Sequence, residues 1–288
     1  MINSKICNFV KTKIRKGEIM KMRNATRQGI TITIGNQKGG VSKTTTTCML
    51  AYSLANKGYK TLVVDLDPQG NATKLLWLTS KEDKPIKNTL MSGLLERNLQ
   101  DIRYNVMENL DMLPSHVDLE LLPEWLFENV VKKDRDLYLA NLLQPLKLEY
   151  DFILIDTPPM ALTFTKNAVC SSDFVLIVLQ TQERSLTGAE YYIQQIAKLK
   201  EAHNLEVDII GLVRVLVKNQ GTIDNYISNK ALESYGEFVF NTVIPNMERL
   251  KRYDVTGIQR DDHHDDRVMD KYNDLADELI ERLKKEER

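Results

Sequence analysis

An α/β fold, with a doubly wound, mainly parallel sheet of about seven to eight strands flanked by helices, is predicted by three observations. Short runs rich in β-branched residues alternate with helix-period stretches along most of the chain. Several of those runs are apolar at nearly every position, as strands covered on both faces are. A Gly-rich turn links the first run to the first helical stretch.

In chain order the strand candidates are ITITIGN (30–36), TLVVDLD (61–67), LDMLPS (110–115), DFILIDT (151–157), DFVLIVL (173–179), VDIIGLVRVLV (207–217) and EFVFNTVIP (237–245). TTTTCMLAYSLANKGYK reads as a helix closed by Gly58, and TGAEYYIQQIAKLKEAHN as a second with Thr187 as its N-cap candidate. Residues 80–150, with Pro85, Pro114, Pro123 and Pro145 and weak strand signal, read mainly as helices and loops. DDHHDD, at 261–266, offers carboxylates and imidazoles with no periodic pattern to fix their geometry, and reads as a mobile acidic loop rather than a metal site. In YNDLADELIERLKKEER the residues Tyr272, Leu275, Leu279 and Leu283 share one helical face. That face lacks Trp and Phe and has many acids nearby, so it is expected to pack on the protein's own core rather than on a membrane.

No repeat, low-complexity segment or linker divides the chain, so residues 29–288 are expected to form one domain behind a basic extension, 1–28. That extension carries eight Lys/Arg against Glu18 alone, while the 288-residue chain has a net charge of −1. It is either a solvated leader or an arm suited to nucleic acid or an acidic partner. No apolar run approaches the roughly 18–20 residues that span a bilayer, and the N-terminus lacks the apolar core of a signal peptide. Cys7, Cys48 and Cys170 lie far apart, which argues against a disulfide framework. A cytoplasmic protein is expected.

The chemistry concentrates in three motifs. GNQKGGVSKTTTT (35–47) follows a strand and opens a helix, the context of a phosphate-binding loop, with backbone N–H groups from Gly39, Gly40, Val41, Ser42, Lys43, Thr44 and Thr45 available to a nucleotide's β-phosphate. Lys43 would reach the β/γ-phosphates and Thr44 would ligate Mg²⁺. Ser42 stands where such loops carry glycine, and is strained if the position requires positive φ. VVDLDPQGNAT (63–73) sets Asp65 and Asp67 on one side at the C-terminal end of a strand, where α/β sheets bind ligands. Asp67 could orient or deprotonate an attacking water, and Asp65 could bind a metal-bound water. FILIDTPP ends its strand at Asp156, placed to hold Mg²⁺ through water. After the last strand, TVIPNMERLKRYDVTGI offers a turn at Pro245 and Asn246 that could line an adenine pocket.

KGGVSKTT, VDLDPQGNAT and IPNMERL…G together resemble the ParA/Soj/MinD family of deviant Walker A ATPases over about residues 29–260, and most closely its plasmid partition branch. The departure is Ser42, where the family loop has glycine. The resemblance implies a P-loop NTPase fold and an ATPase that is weak without partner and DNA. It implies ATP and Mg²⁺ as cofactors and an ATP-sandwich homodimer in which Lys38 crosses the interface to the other subunit's phosphates. It implies non-specific binding of double-stranded DNA by that dimer, with release on hydrolysis stimulated by a ParB-type centromere-binding protein, and a nucleoid-associated location. Arg249, Lys251 and Arg252 stand where relatives place DNA-contacting arginines, with Arg214 and Lys218 as weaker candidates. Larger relatives carry an upstream helix-turn-helix domain of roughly a hundred residues, for which this chain has no room before its first strand. The alternative is a MinD-like, membrane-associated positioning ATPase, which would need the C-terminal helix to bind anionic lipid. A reductase of the nitrogenase iron-protein type is set aside because the three cysteines do not match that family's positions. A scaffold that binds ATP without hydrolysing it would not be expected to retain Asp67.

Overall fold

A computed structural model describes residues 28–286 apart from 83, 160, 182 and 219–221. The basic extension therefore lies, except for its last residue, outside the described residues. The described strands form one eight-stranded sheet in the order β3-β4-β2-β5-β1-β6-β7-β8. These are β1 (Ile30–Gly35), β2 (Thr61–Asp65), β3 (Tyr104–Met107), β4 (Leu110–Leu113), β5 (Phe152–Asp156), β6 (Phe174–Gln180), β7 (Asp208–Val217) and β8 (Val239–Pro245). Every neighbouring pair is parallel except the β3–β4 hairpin.

The central strands alternate their side chains between two apolar layers. Ile32, Ile34, Val63, Leu154, Leu176 and Val178 face one layer; Leu62, Val64, Ile153, Ile155, Val175 and Ile177 face the other. Residues that are apolar on both faces thus stay out of water only in the middle of a sandwich of helices. The first layer is covered by α1 (Lys43–Asn56), α2 (Asn71–Ser80), α9 (Glu248–Thr256) and α10 (His263–Glu286). The second is covered by α3 (Leu90–Glu96), α4 (Leu122–Asn129), α5 (Tyr138–Leu143), α6 (Leu162–Ser171), α7 (Glu183–His203) and α8 (Thr222–Tyr235).

All seven expected strands are present, with α1 closed at Lys57 and Gly58, the latter at φ 87°. The structure adds β3, an antiparallel edge strand within the stretch expected to be mainly helix and loop. Its YNVM sequence is short and partly exposed, so little apolar patterning marks it. Thr187 is not an N-cap: α7 begins at Glu183. Ser185 is fully buried and Leu186 packs on the core, so the buried face starts a turn before the pattern that suggested Thr187.

DDHHDD is not a loop either. Asp262 Oδ1 accepts the main-chain N–H groups of His264 (2.8 Å) and Asp265 (3.2 Å), capping the start of α10. Tyr272, Leu275, Leu279 and Leu283 of α10 are buried in the core, as their spacing predicts. Among the described residues no helix is long and apolar enough to cross a membrane.

Candidate nucleotide site

Register places the chemistry. In the parallel pairing Asp65 of β2 lies opposite Asp156 of β5, and Asp156 opposite Ile34 of β1. The two carboxylate-bearing strand ends and the start of the Gly-rich loop therefore meet at the C-terminal end of the central strands. The loop and the residues just beyond the two strands border a cavity of about 760 Å³, lined by Gly40 to Thr45, Asp67, Gln69, Lys74 and Thr157 among others.

The loop leaves β1 through Asn36, whose amide donates to Val178 O (2.7 Å) and whose Oδ1 accepts Lys38 N–H (3.0 Å). Asn36 was not singled out by sequence; with its one polar side chain it ties the loop's first turn to β6. Gly40 has φ 71°, and Ser42 has φ 60° and ψ 30°. The position that carries serine instead of glycine does adopt the left-handed conformation, at a cost of order 1–2 kcal/mol for an L-residue. Buried Val41 anchors the loop from below. No side chain caps the start of α1, and its first turn holds no acid, so its unpaired N–H groups open toward the cavity.

Lys43 is almost fully buried, and its Nζ donates to Lys38 O at 3.2 Å. Burial lowers its pKa, while Asp156 and Asp67 pull it upward. Asp156 is wholly buried and accepts from Thr44 Oγ1 at 2.7 Å and, more weakly, from Thr47 Oγ1 at 3.4 Å. Burial first, and the Asp65 carboxylate second, push its pKa up to about 8; burial likewise raises that of Asp65 to about 6. Asp156 and Asp67 thus share one lysine while Asp65 presses on Asp156, and this crowding of carboxylates suits a cation. The donor set fits Mg²⁺, with hard oxygens from the Thr44 hydroxyl and the Asp156 carboxylate. The uncapped helix start and Lys43 fit a polyphosphate.

Asp65 has a different occupation from the one its sequence position suggests. Its Oδ1 accepts Asp67 N–H at 3.0 Å, and its Oδ2 accepts Thr73 N–H (2.8 Å) and Thr73 Oγ1–H (2.7 Å). It caps the start of α2 and does not line the cavity. Strand alternation does not extend to Asp67, because β2 ends at Asp65 and the chain turns. Asp67 itself lines the cavity, and its Oδ1 accepts Gln69 N–H at 3.0 Å. Lys38 donates from Nζ to the hydroxyl of buried Ser185 on α7, at 3.3 Å.

Pro245 and Asn246 do not join this cavity. They line a second cleft of about 700 Å³ between α9 and α10, whose walls share no residue with the first. Of the three expected cations after β8, Arg249 is spent within the fold: its side chain is 12% exposed and pairs with Asp262 and with Asp265 (Nε to Oδ1, 3.2 Å). Lys251 pairs on the surface with Glu248 at 3.0 Å. Arg252 is exposed and lines the second cleft together with Arg267 and Lys271 of α10. Arg214 is part-buried and donates to Phe240 O at 3.0 Å, which leaves it a role in the β7–β8 edge. Lys218 is exposed at the end of β7.

Known proteins resemble this chain over most of its length. A family described as an AAA domain matches residues 29–209. The chromosome partitioning protein ParA of Myxococcus xanthus is 34% identical over 77% of this chain and 77% of its own length. The chromosome-partitioning ATPase Soj of Treponema pallidum is 33% identical over 80% of this chain and 88% of its own. The crystal structure of cobyrinic acid a,c-diamide synthase from Mycobacterium smegmatis, with bound ATP analogue and magnesium, superposes with a TM-score of 0.75 at 23% identity, covering 89% of this chain and 96% of that one. This last likeness shows a shared fold. With its P-loop fold, its KGGVSKTT loop and these sequence relatives, the chain belongs to the ParA/Soj/MinD family of partition ATPases.

Proposed function

We propose that this protein hydrolyses ATP and uses the ATP-bound state to hold DNA during partition. The observation that carries the reading is the meeting of the Gly-rich loop with Asp156 and Asp67: Thr44 Oγ1 lies 2.7 Å from Asp156 while Asp67 faces the same cavity. Lys43 and the main-chain N–H groups from Gly39 to Thr45 bind and orient the phosphates. Thr44 and Asp156 would hold Mg²⁺, which would offset phosphate charge when bound. Asp67 positions the attacking water and accepts its proton.

Two copies closing over their nucleotides would carry Lys38 from its own Ser185 to the partner's phosphates. A lysine desolvated between subunits needs an anion beside it, so closure would depend on the γ-phosphate. The closed dimer binds duplex DNA without sequence preference, and a centromere-bound protein of the ParB type triggers hydrolysis and release. With Arg249 tied into the fold, the phosphate-facing cations on this reading are Arg252 and Arg267, flanked by Lys251 and Lys271, which pair with Glu248 and Asp274 on their own helices. On this reading the protein works in the cytoplasm, on the nucleoid. A MinD-like membrane cycle is disfavoured because the apolar face of α10 is already buried in the core.

The test is turnover by the full chain with ATP and Mg²⁺, alone and with DNA. Slow phosphate release that stops when Mg²⁺ is chelated is expected. ATP binding with no turnover under any of these conditions would leave a nucleotide-binding scaffold instead.

A further inference from the structure

Thr73 belongs to the second motif but was given no task by its sequence context, and the proposed chemistry does not use it. It is the third residue of α2 and is 7% exposed. Its hydroxyl accepts Ser115 N–H at 2.8 Å and donates to Asp65 Oδ2 at 2.7 Å. A threonine hydroxyl has one proton. Because an amide donor already fills one side, that proton must point at Asp65, and the direction of the chain from Ser115 through Thr73 to Asp65 is fixed.

From Asp65 the chain continues to the cavity. The other carboxylate oxygen accepts Asp67 N–H (3.0 Å), Asp67 O accepts Gly70 N–H (2.9 Å), and Asp67 Oδ1 accepts Gln69 N–H (3.0 Å). Asp67 therefore sits in a tight turn held by Asp65, and Asp65 is held in turn by Thr73. Gly70, at φ 63°, brings the same turn against Ser115, where a Cβ would stand 3.2 Å from Ser115 O. Ser115, Thr73, Asp65 and Asp67 are all buried or nearly so, and polar links in such surroundings are costly to leave unpaired.

We infer that Thr73 is a positioning residue for hydrolysis: its hydroxyl locks Asp65 to the end of β4 and so fixes the turn that presents Asp67 to the nucleotide cavity. The inference rests on the role proposed above for Asp67. It distinguishes the turn's two halves, with Asp65 supporting and Asp67 acting. It also ties Asp67 to the segment after β4, where Glu120 of the short 3-10 turn Val117–Leu121 lines the nucleotide cavity. Movement of that rim would reach Asp67 through one hydroxyl.

Thr73→Val keeps the shape and removes the hydroxyl, and Thr73→Ser keeps the hydroxyl. For Thr73→Val, kcat should fall by about 100-fold, the scale of a displacement near 1 Å in a reacting group, while affinity for a non-hydrolysable ATP analogue stays within about threefold. Thr73→Ser should restore most of the rate. Thr73→Ala serves as a second hydroxyl-free variant if the valine protein folds poorly. Main-chain amide exchange, read without nucleotide, should be faster at Asp67, Gln69 and Ser115 in the hydroxyl-free variants and unchanged in Thr73→Ser. Wild-type turnover in a hydroxyl-free variant, or a serine variant as slow as the valine one, would overturn the inference. If the wild-type protein itself hydrolyses nothing, the proposed function fails, and unchanged exchange at Asp67 and Gln69 would then overturn the positioning role separately.

Discussion

Lys43 and Asp67 face the same cavity but answer to different physics. Lys43 is a buried lysine whose pKa desolvation lowers and Asp156 and Asp67 only partly restore; a polyphosphate would give it a better partner than the Lys38 carbonyl it now touches. Removing it with Lys43→Ala should weaken ATP binding by at least about 10- to 150-fold, from about 1.5–3 kcal/mol for a hydrogen bond to a charged group. Asp67→Ala removes no phosphate ligand. It should leave ATP binding near wild type and lower turnover by about 10²–10⁴-fold, the range for a general base. Calorimetry of nucleotide binding alongside single-turnover hydrolysis checks both; equal loss of binding in the two variants would contradict the division of roles. At this scale the sequence singled out residues that the fold brings to one cavity, but not the hydrogen bonds that each one makes. Asp65 and Asp67 look equivalent two positions apart on a strand, and they part because the strand ends between them and one carboxylate turns inward to cap α2. Hydrogen bonds made by Thr73 and Ser115, forty-two residues apart in sequence, have no local signature.

The elements follow the sequence wherever burial alone decides them. Strands apolar on both faces and the heptad-like face of α10 are legible because the hydrophobic period is the structure's own period. Elements decided by polar groups are not. The start of α10 reads as a loose acidic run, yet Asp262 caps the helix and Asp265 is buried against Arg249 and Tyr253 Oη (2.8 Å). That knot also withdraws Arg249 from the surface, which the basic spacing of α9 could not reveal. It has a pH signature. Burial acts to raise the Asp262 carboxyl, but N–H groups of Asp265 and His264 and the Arg249 guanidinium outweigh it and hold it near 2, and Asp265 is likewise held below its ordinary 3.8. A carboxyl with a folded pKa below its unfolded one binds fewer protons when folded, so its stabilisation is full above about pH 4 and is lost as pH falls toward about 2. Arg249→Met keeps the aliphatic stem and removes the charge. Its melting temperature should lie below wild type at neutral pH, and the gap should narrow between about pH 4 and about pH 2. A gap that is constant over that interval would show that the ion pairs do not stabilise the fold.

For the whole molecule, the sheet order puts the P-loop and Asp156 at the C-terminal ends of the central strands β1 and β5, with Asp67 just beyond β2, while Arg252, Arg267 and Lys271, the last paired with Asp274, line a separate cleft between α9 and α10. The two cavities share no lining residue, although α9 borders both, through Asp254 at the first and Arg252 at the second. In the proposed dimer Lys38 would sense the partner's nucleotide, and α9 gives a route between the two cavities within one chain. The most direct measurement is the binding of the full chain to a labelled random-sequence duplex, with a non-hydrolysable ATP analogue, with ADP and with no nucleotide, across a salt series, for wild type and Lys38→Ala. Wild type should bind with the analogue alone, at a log–log salt slope of roughly 0.9 per phosphate neutralised, and Lys38→Ala should keep its analogue affinity but lose the DNA. Equal DNA binding by wild type in all three nucleotide states, or undiminished binding by Lys38→Ala, would contradict the nucleotide-closed dimer as the form that holds DNA.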